Sequence, residues 1–367
     1  MGLNSKNILY VYPQWHMVSF TLVARKHIEY MQRLGAAVYE IDEVLFPGFA
    51  PVVKYSAFIH PAFYILHRVA EYRKKLSAEY LNWLINKFEQ LICIDVADSD
   101  RISEYAVNLL NMCTKVVVPS TFARDAYVSS GVKKPVYIVP HGVDPFWYTA
   151  PNTWLSAPAA SIHPMILQLF LYKIRKGVKI ILFWLWHSPD RKGWHEAREI
   201  YKRVRRERKD VMLVLKTINP NTSEFLQVAD QGAVEVYGWL DEFSKMALYD
   251  LADIVLVPSR GGAFELNALE ALARGVPTLA TDYGCFLDYV PDFLRIKKGE
   301  KVLVLPGNAI HIGFGYTADV DDGVQKVLNI LHNYEEYKAK TVEWRENVLK
   351  NRFRWDLIAK QLLSLIP

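Results

Sequence analysis

Short apolar runs bounded by Pro, Gly, Ser or Asp recur along the whole chain, and helical patterns separate them. In the first half NILYVYP, AAVYEID, QLICIDV, KVVVPS and PVYIVP read as short buried strands, with LVARKHIEYMQRLG and RISEYAVNLLNMC as helical stretches between them. Ser120 is placed to cap the helix TFARDAYVSSG, and Gly131 to end it. The second half repeats the style with KIILFWLW, VMLVLKT, VEVYGWL, DIVLVPS, PTLATD and VLVLP. Strands alternating with helices predict parallel sheets covered on both faces. The expected fold is therefore α/β, with two doubly wound, Rossmann-like domains of about six strands each facing across a cleft. In such sheets ligands bind outside the carboxyl ends of the strands, where the strand order reverses.

The boundary is expected after HGVD, in FWYTAPNTWLSAPAASIHP, whose aromatics predict an ordered connection rather than a flexible linker. This gives a first domain over 1–150, a connection over 151–176, a second domain over 177–350 and a closing apolar-periodic helix over 351–367.

The most informative stretch is 253–282, DIVLVPSRGGAFELNALEALARGVPTLATD. It reads as a buried strand, a glycine turn at Gly261 and Gly262, an amphipathic helix stopped by Gly275 and Pro277, and a second strand. A glycine turn feeding a helix at the carboxyl end of a parallel strand presents backbone N–H groups and about half a positive charge, which suits an anion. Glu265 and Glu270 follow, expected in the helix's first and second turns. Carboxylates beside an anion site do not bind the anion; they suit the hydroxyls of a ribose or a sugar, or else are solvated glutamates of a crossover helix.

The 367 residues suffice for two domains, and a chain 51% apolar and 23% charged is ordinary for a globular protein. The net charge of +5 is mild, spread out and without a recognised motif, which argues against nucleic acid as a partner. Cys93, Cys113 and Cys285 show no paired spacing and no metal pattern; Cys93 and Cys113, in apolar surroundings, are expected as core residues, and a reducing cytoplasm fits them. No leader pattern opens the chain, and no apolar run reaches the roughly 18–20 residues of a membrane span. Peripheral membrane contact has two candidate stretches, 55–76 leading into Arg73, Lys74 and Lys75, and the cation-rich helix 198–210. Each is either a lipid-docking face or an ordinary solvated one.

The stretch PSRGGAFELNALEALARGVPTLATD resembles the donor-binding signature of the retaining GT-B nucleotide-sugar glycosyltransferases of group 1, also called family four. VVVPSTFARDAYVSSGVKKPVYIVPHGVD, ILFWLWHSPDRKGW, VEVYGWLDEFSKMALYDLADIVLVPS and RFRWDLIAKQLL extend the resemblance from about residue 90 to the end. It implies a GT-B fold and transfer of a sugar, with retention, from a nucleotide-diphosphate sugar of UDP or GDP type to an acceptor hydroxyl of a glycan, glycolipid or protein. No cofactor or metal is then required, and attack from the face of the departing phosphate needs no protein nucleophile. The acceptor class stays open between glycan and lipid-linked.

The resemblance also assigns residues. The family's Glu-x7-Glu pair places its second, ribose-binding glutamate on Glu270 and its first on Gly262, leaving Glu265 to take over the contact with the donor sugar. Gly261, Gly262, Ala263 and Phe264 form the donor turn. In the loop 187–193 the diphosphate-binding lysine falls on Lys192, beside Arg191. The family's arginine falls near Trp186 and is missing, so His187 or Arg191 is left to supply the second contact. Lys216, Thr217, Gly238, Trp239 and Leu240 match the base and ribose loops. Gln14, Trp15 and His16 replace a glycine pair on the acceptor side, and the closing helix is implied to cross back to the first domain. Asp95 and Asp98 stand where the family tends to place a histidine near the reacting carbon; they either orient the acceptor hydroxyl or form a polar turn and cap. The missing glutamate and arginine keep open the alternative of a degenerate GT-B protein that binds nucleotide or glycan without transfer.

Overall fold

The structure, a computed structural model, describes residues 7–16, 18–49, 53–73, 86–156 and 161–366. The chain divides into two compact units, each described by itself. The first comprises Met1–Gly142, Leu305–Gly313 and Phe353–Pro367, and the second Val143–Val304 and Phe314–Arg352.

In the first unit the elements run β1 (Asn7–Tyr12), α1 (Ser19–Arg33), β2 (Ala37–Asp42), β3 (Tyr55–Ile59), α2 (Ala62–Arg73), β4 (Phe88–Ile94), α3 (Glu104–Leu110), β5 (Lys115–Val118), α4 (Thr121–Ser130) and β6 (Val136–Ile138). The strands form one parallel sheet in the order β2-β1-β3-β4-β5-β6. Ser120 caps α4, its hydroxyl accepting from the Ala123 N–H at 3.2 Å, and Gly131 ends it in the left-handed conformation at φ 105°.

The second unit contains α5 (Pro164–Lys176), β7 (Lys179–Trp184), α6 (Trp194–Glu207), β8 (Val211–Lys216), β9 (Val234–Val236), α7 (Glu242–Leu251), β10 (Ile254–Val257), α8 (Leu266–Ala273), β11 (Thr278–Thr281), β12 (Arg295–Ile296), β13 (Lys298–Leu303), β14 (Phe314–Ala318), α9 (Val320–His332) and α10 (Tyr334–Trp344). Its parallel sheet runs β12-β11-β10-β7-β8-β9. Chain order reverses between β7 and β10, both central and fully buried at Ile181, Leu182, Ile254, Val255 and Leu256. The last helix, α11 (Trp355–Ser364), belongs to the first unit and packs on α1. The described part of 151–176 lies in the second unit, and Arg274 binds the carbonyls of Trp147, Ala150 and Pro151 there.

Three expectations need correcting. YSAFI, which opens the 55–76 stretch and is not among the expected strands, is β3, buried from Ser56 onward. VLVLP does not supply a sixth parallel strand: β13 pairs antiparallel with β14 and is largely exposed, and the two-residue β12 takes the sheet edge. KGEKVL is too polar to be covered on both faces. Cys93 and Cys113 are core residues, but they are joined by a disulfide across a sequence separation of 20, with Cα atoms 6.1 Å apart. The bridge ties the end of β4 to the turn before β5, so these two cysteines are not the free thiols expected.

Of the two cation-rich stretches, Lys74 and Lys75 lie outside the described residues. In the other, Arg203 pairs with Asp321, Arg208 with Asp210, and Arg205 donates to the Gln231 and Lys209 carbonyls. No helix among the described residues is long and apolar enough to cross a membrane.

Three histidines gather in the core of the first unit. His27 of α1 lies 6.3 Å from His60 and 6.5 Å from His141 between ring centroids, and Trp355 of α11 packs against it at 5.5 Å. The Tyr10 hydroxyl meets His27 Nδ1 at 2.8 Å. Burial lowers all three, His141 to about 3. They are therefore neutral when folded, whereas the unfolded chain takes up protons below about pH 6.5, so this contribution is present above that pH and is lost as pH falls. We expect the urea midpoint to drop between pH 6.5 and 4.5, each histidine adding a slope of up to about 1.4 kcal/mol per pH unit. A midpoint that stays level over that window would refute the assignment of three neutral buried imidazoles.

Candidate functional site: the loops after β7 and β10

The site is built where the sheet order of the second unit reverses. The loop after β7 and the loop after β10 run against each other, with the Arg260 N–H donating to the Arg191 carbonyl at 2.8 Å. Gly193, at φ 72°, lies so close that a Cβ there would come within 2.0 Å of the Pro258 carbonyl oxygen. Only glycine allows this approach. Arg260 adds a second tie, its guanidinium 2.9 Å from Glu196 on α6.

This contact brings Arg191, Lys192, Gly261, Gly262 and Glu265 together. Arg191 Nη1 donates to the Gly261 carbonyl at 3.2 Å and to Glu265 at 3.3 Å. Lys192 donates to the other Glu265 oxygen, and the Ser259 hydroxyl donates to the carboxylate at 3.2 Å. The Tyr289 hydroxyl fixes the Glu265 backbone carbonyl at 3.0 Å, and the Tyr289 ring stacks on Phe264 at 4.9 Å. Glu265 is the residue before α8, extended at φ −111°, rather than in its first turn, and its side chain does not cap the helix. Two cations therefore share one buried carboxylate at a helix N-terminus. Arg191 and Lys192, which the resemblance assigns to the diphosphate, here have a partner within the chain.

A Cβ added at Gly262 would lie 2.9 Å from the Glu265 carboxylate. The Glu265 side chain thus fills the space into which a side chain at 262 would begin. Ala263 is buried beside it.

Glu270 lies in the interior of α8 and faces α7. Lys245 donates to it at 2.7 Å and Tyr249 at 2.8 Å, an i, i+4 pair on one helix face. Burial works against the charge on Lys245, yet the Glu270 and Glu242 carboxylates outweigh it and raise its pKa. Neither Lys245 nor Tyr249 was identified from sequence, although the i, i+4 spacing within KMALY is visible there.

At the carboxyl end of β8, Lys216 is buried between two tryptophans, 5.3 Å from the Trp184 ring and 5.1 Å from the Trp186 ring. Its ammonium donates to the Thr217 carbonyl at 2.8 Å and the Gly238 carbonyl at 2.5 Å, so it is engaged by protein groups. Burial lowers it to about 8. Thr217 is buried and bonds Glu235 at 2.9 Å, and Leu240 is buried. Trp239 is half exposed, with Trp186 edge-on at 5.9 Å. His187 is exposed and meets Ser188 Oγ at 2.9 Å.

In the first unit Asp95 is fully buried. It accepts from the Phe63 N–H at 2.6 Å, capping α2, and from the Val96 N–H at 2.7 Å. Burial raises its carboxyl to about 8. Asp98 donates its N–H to His311 Nδ1 at 3.3 Å. The Gln14 N–H donates to Asp42 at 3.0 Å, His16 lies 3.9 Å from Glu43, and Trp15 is exposed. Among the described residues no three His, Cys, Asp or Glu side chains are placed to hold a metal ion.

Two parallel six-stranded sheets with these loops at the strand ends define the GT-B class, and the comparisons agree. The family described as glycosyl transferases group 1 matches residues 179–312, which include both loops up to Glu270. An uncharacterised protein of Sulfolobus islandicus rod-shaped virus 1 is 33% identical over 365 residues, 98% of each chain. Sucrose-phosphate synthase from Thermosynechococcus elongatus superposes with a TM-score of 0.64 at 16% identity, covering 98% of each chain. The trehalose-6-phosphate protein from E. coli bound with UDP-2-fluoro glucose gives 0.65 at 10% identity, again over 98% of each chain. These two structures show the fold. Residues 179–312 carry a group 1 glycosyl transferase domain, within a chain of GT-B fold.

Removing the Glu265 carboxylate takes away a charged partner of the buried Arg191. Glu265→Ala is expected to lower stability by about 3–5 kcal/mol, read from urea unfolding. A midpoint within error of the parent would show that the carboxylate does not hold the two loops.

Proposed function

We propose that the chain is a retaining, metal-independent glycosyltransferase that moves a sugar from a UDP- or GDP-type donor to an acceptor hydroxyl. The observation that carries this reading is the convergence of Arg191, Lys192 and Glu265 at the N-terminus of α8, where the sheet order reverses. A nucleoside diphosphate gains charge as the glycosidic bond breaks, so fixed cations beside it stabilise the transition state more than the ground state. Lys192 and the α8 N-terminus would supply that charge, and the arriving diphosphate would compete with Glu265 for Lys192.

Glu265 is suited to the donor sugar's hydroxyls because it occupies the space at Gly262 where the family carries its first glutamate. Glu270, oriented by Lys245 and Tyr249, would accept from the ribose. Trp239 and Trp186 would flank the base, with Gly238 and Leu240 shaping that loop. In the E. coli structure the bound molecule is a UDP sugar. In the same-face attack that the family resemblance implies, the departing phosphate, rather than a side chain, would take the acceptor hydroxyl's proton as the glycosidic bond to it breaks. The alternative, a protein that binds without transfer, has the replacement of the family's arginine by the Trp186 region as its support.

Calorimetric titration with UDP, GDP, ADP and their sugar conjugates tests the reading. One diphosphate is expected to bind and raise the melting temperature by mass action. Lys192→Ala and Glu270→Gln are each expected to weaken it at least tenfold, about 1.4 kcal/mol. Parent-like binding in both variants would remove the donor site from this place. Proton NMR of the product is expected to show the donor's anomeric configuration; an inverted anomer would end the retaining assignment.

A further inference from the structure

A cavity of about 720 Å³ lies in the first unit between the segment after β2 and the first turns of α2. This falls within the roughly 300–1,000 Å³ of small-molecule sites. One wall is apolar, with Val44 and Leu45. The other carries Tyr64, His67, Arg68 and Glu71, which recur at i, i+3, i+4 and i+7 and so share one face of α2. One helix face thus presents a phenol, an imidazole, a guanidinium and a carboxylate opposite an aliphatic wall.

The charge in this cavity is already matched. Arg68 lies under the Tyr64 ring, 4.6 Å from its centroid, and donates to the Tyr64 hydroxyl. Its Nε is 3.3 Å from Glu43, a carboxylate with no exposure and no hydrogen bond from another described group. Arg68 is therefore held as the counter-ion of Glu43, and withdrawing it would leave a buried charge uncompensated. An entering phosphate would meet one committed cation, Arg68, with the Glu71 carboxylate on the same wall. A neutral pyranose meets a better match: its C–H face fits the half-exposed Tyr64 ring and the aliphatic wall, and its hydroxyls fit His67, Arg68 and Glu71.

We propose that this cavity binds an uncharged carbohydrate ring in preference to a sugar phosphate. Binding of a neutral ring there does not depend on the glycosyltransferase reading. Saturation-transfer NMR on the full chain tests it with methyl α-glucoside, methyl α-mannoside and N-acetylglucosamine against glucose 6-phosphate and mannose 6-phosphate.

At least one neutral sugar is expected to bind, and both phosphates at least tenfold more weakly. Tyr64→Ala is expected to weaken the neutral sugar at least tenfold with an unchanged melting temperature. Glu71→Gln, on the exposed wall, is expected to weaken it at least threefold, which keeps a second variant should the first lose stability. Absence of transfer to all three neutral sugars, a phosphate that binds as well as they do, or parent-like affinity in both variants would overturn the proposal. Nucleotide binding is read separately on the same samples. Its absence beside Tyr64-dependent sugar binding would end the glycosyltransferase reading and leave the cavity assignment standing.

Discussion

The second unit depends on the close approach of two loops at the carboxyl ends of β7 and β10. Gly193 lies directly against the Pro258 carbonyl, a separation no side chain at 193 permits. Because β7 and β10 are buried on both faces, their ends are fixed by packing, and the loops inherit that rigidity. Arg191 and Lys192 can then face Glu265 without a flexible element between them. The charge arrangement is a consequence of the backbone contact.

That arrangement is asymmetric. Two cations share a single carboxylate, and the α8 N-terminus adds partial positive charge. Glu270 is treated differently, since Lys245 and Tyr249 grip both its oxygens on the neighbouring helix face. One glutamate restrains cations, and the other is itself restrained.

Much of the architecture was legible because parallel strands covered on both faces read as continuous apolar runs. The Ser120 and Gly131 caps followed from local chemistry alone. YSAFI escaped because its apolar character runs on into α2 and masks the strand boundary. VLVLP misled because its last residues look buried while KGEK, earlier in the same strand, is polar. The Cys93–Cys113 bridge was invisible because two apolar surroundings twenty residues apart carry no pairing signal. At the site, residue types indicated Lys192, Glu265 and Glu270 as candidates, but not that Arg191 and Lys192 would both turn to Glu265. Nor could spacing show that Lys216 reaches the Gly238 carbonyl or that Asp95 caps α2, since both partners are distant in sequence.

The tryptophans around Lys216 have an optical consequence. Of the chain's ten tryptophans, Trp184, Trp186 and Trp239 lie at the carboxyl ends of β7 and β9, and an ammonium sits over two of those indoles. Indole emission shifts with nearby charge and with the polarity around the ring. This end of the sheet therefore carries its own fluorophores, whose colour and intensity follow the protonation of Lys216 and the solvent at Trp239, with no label attached.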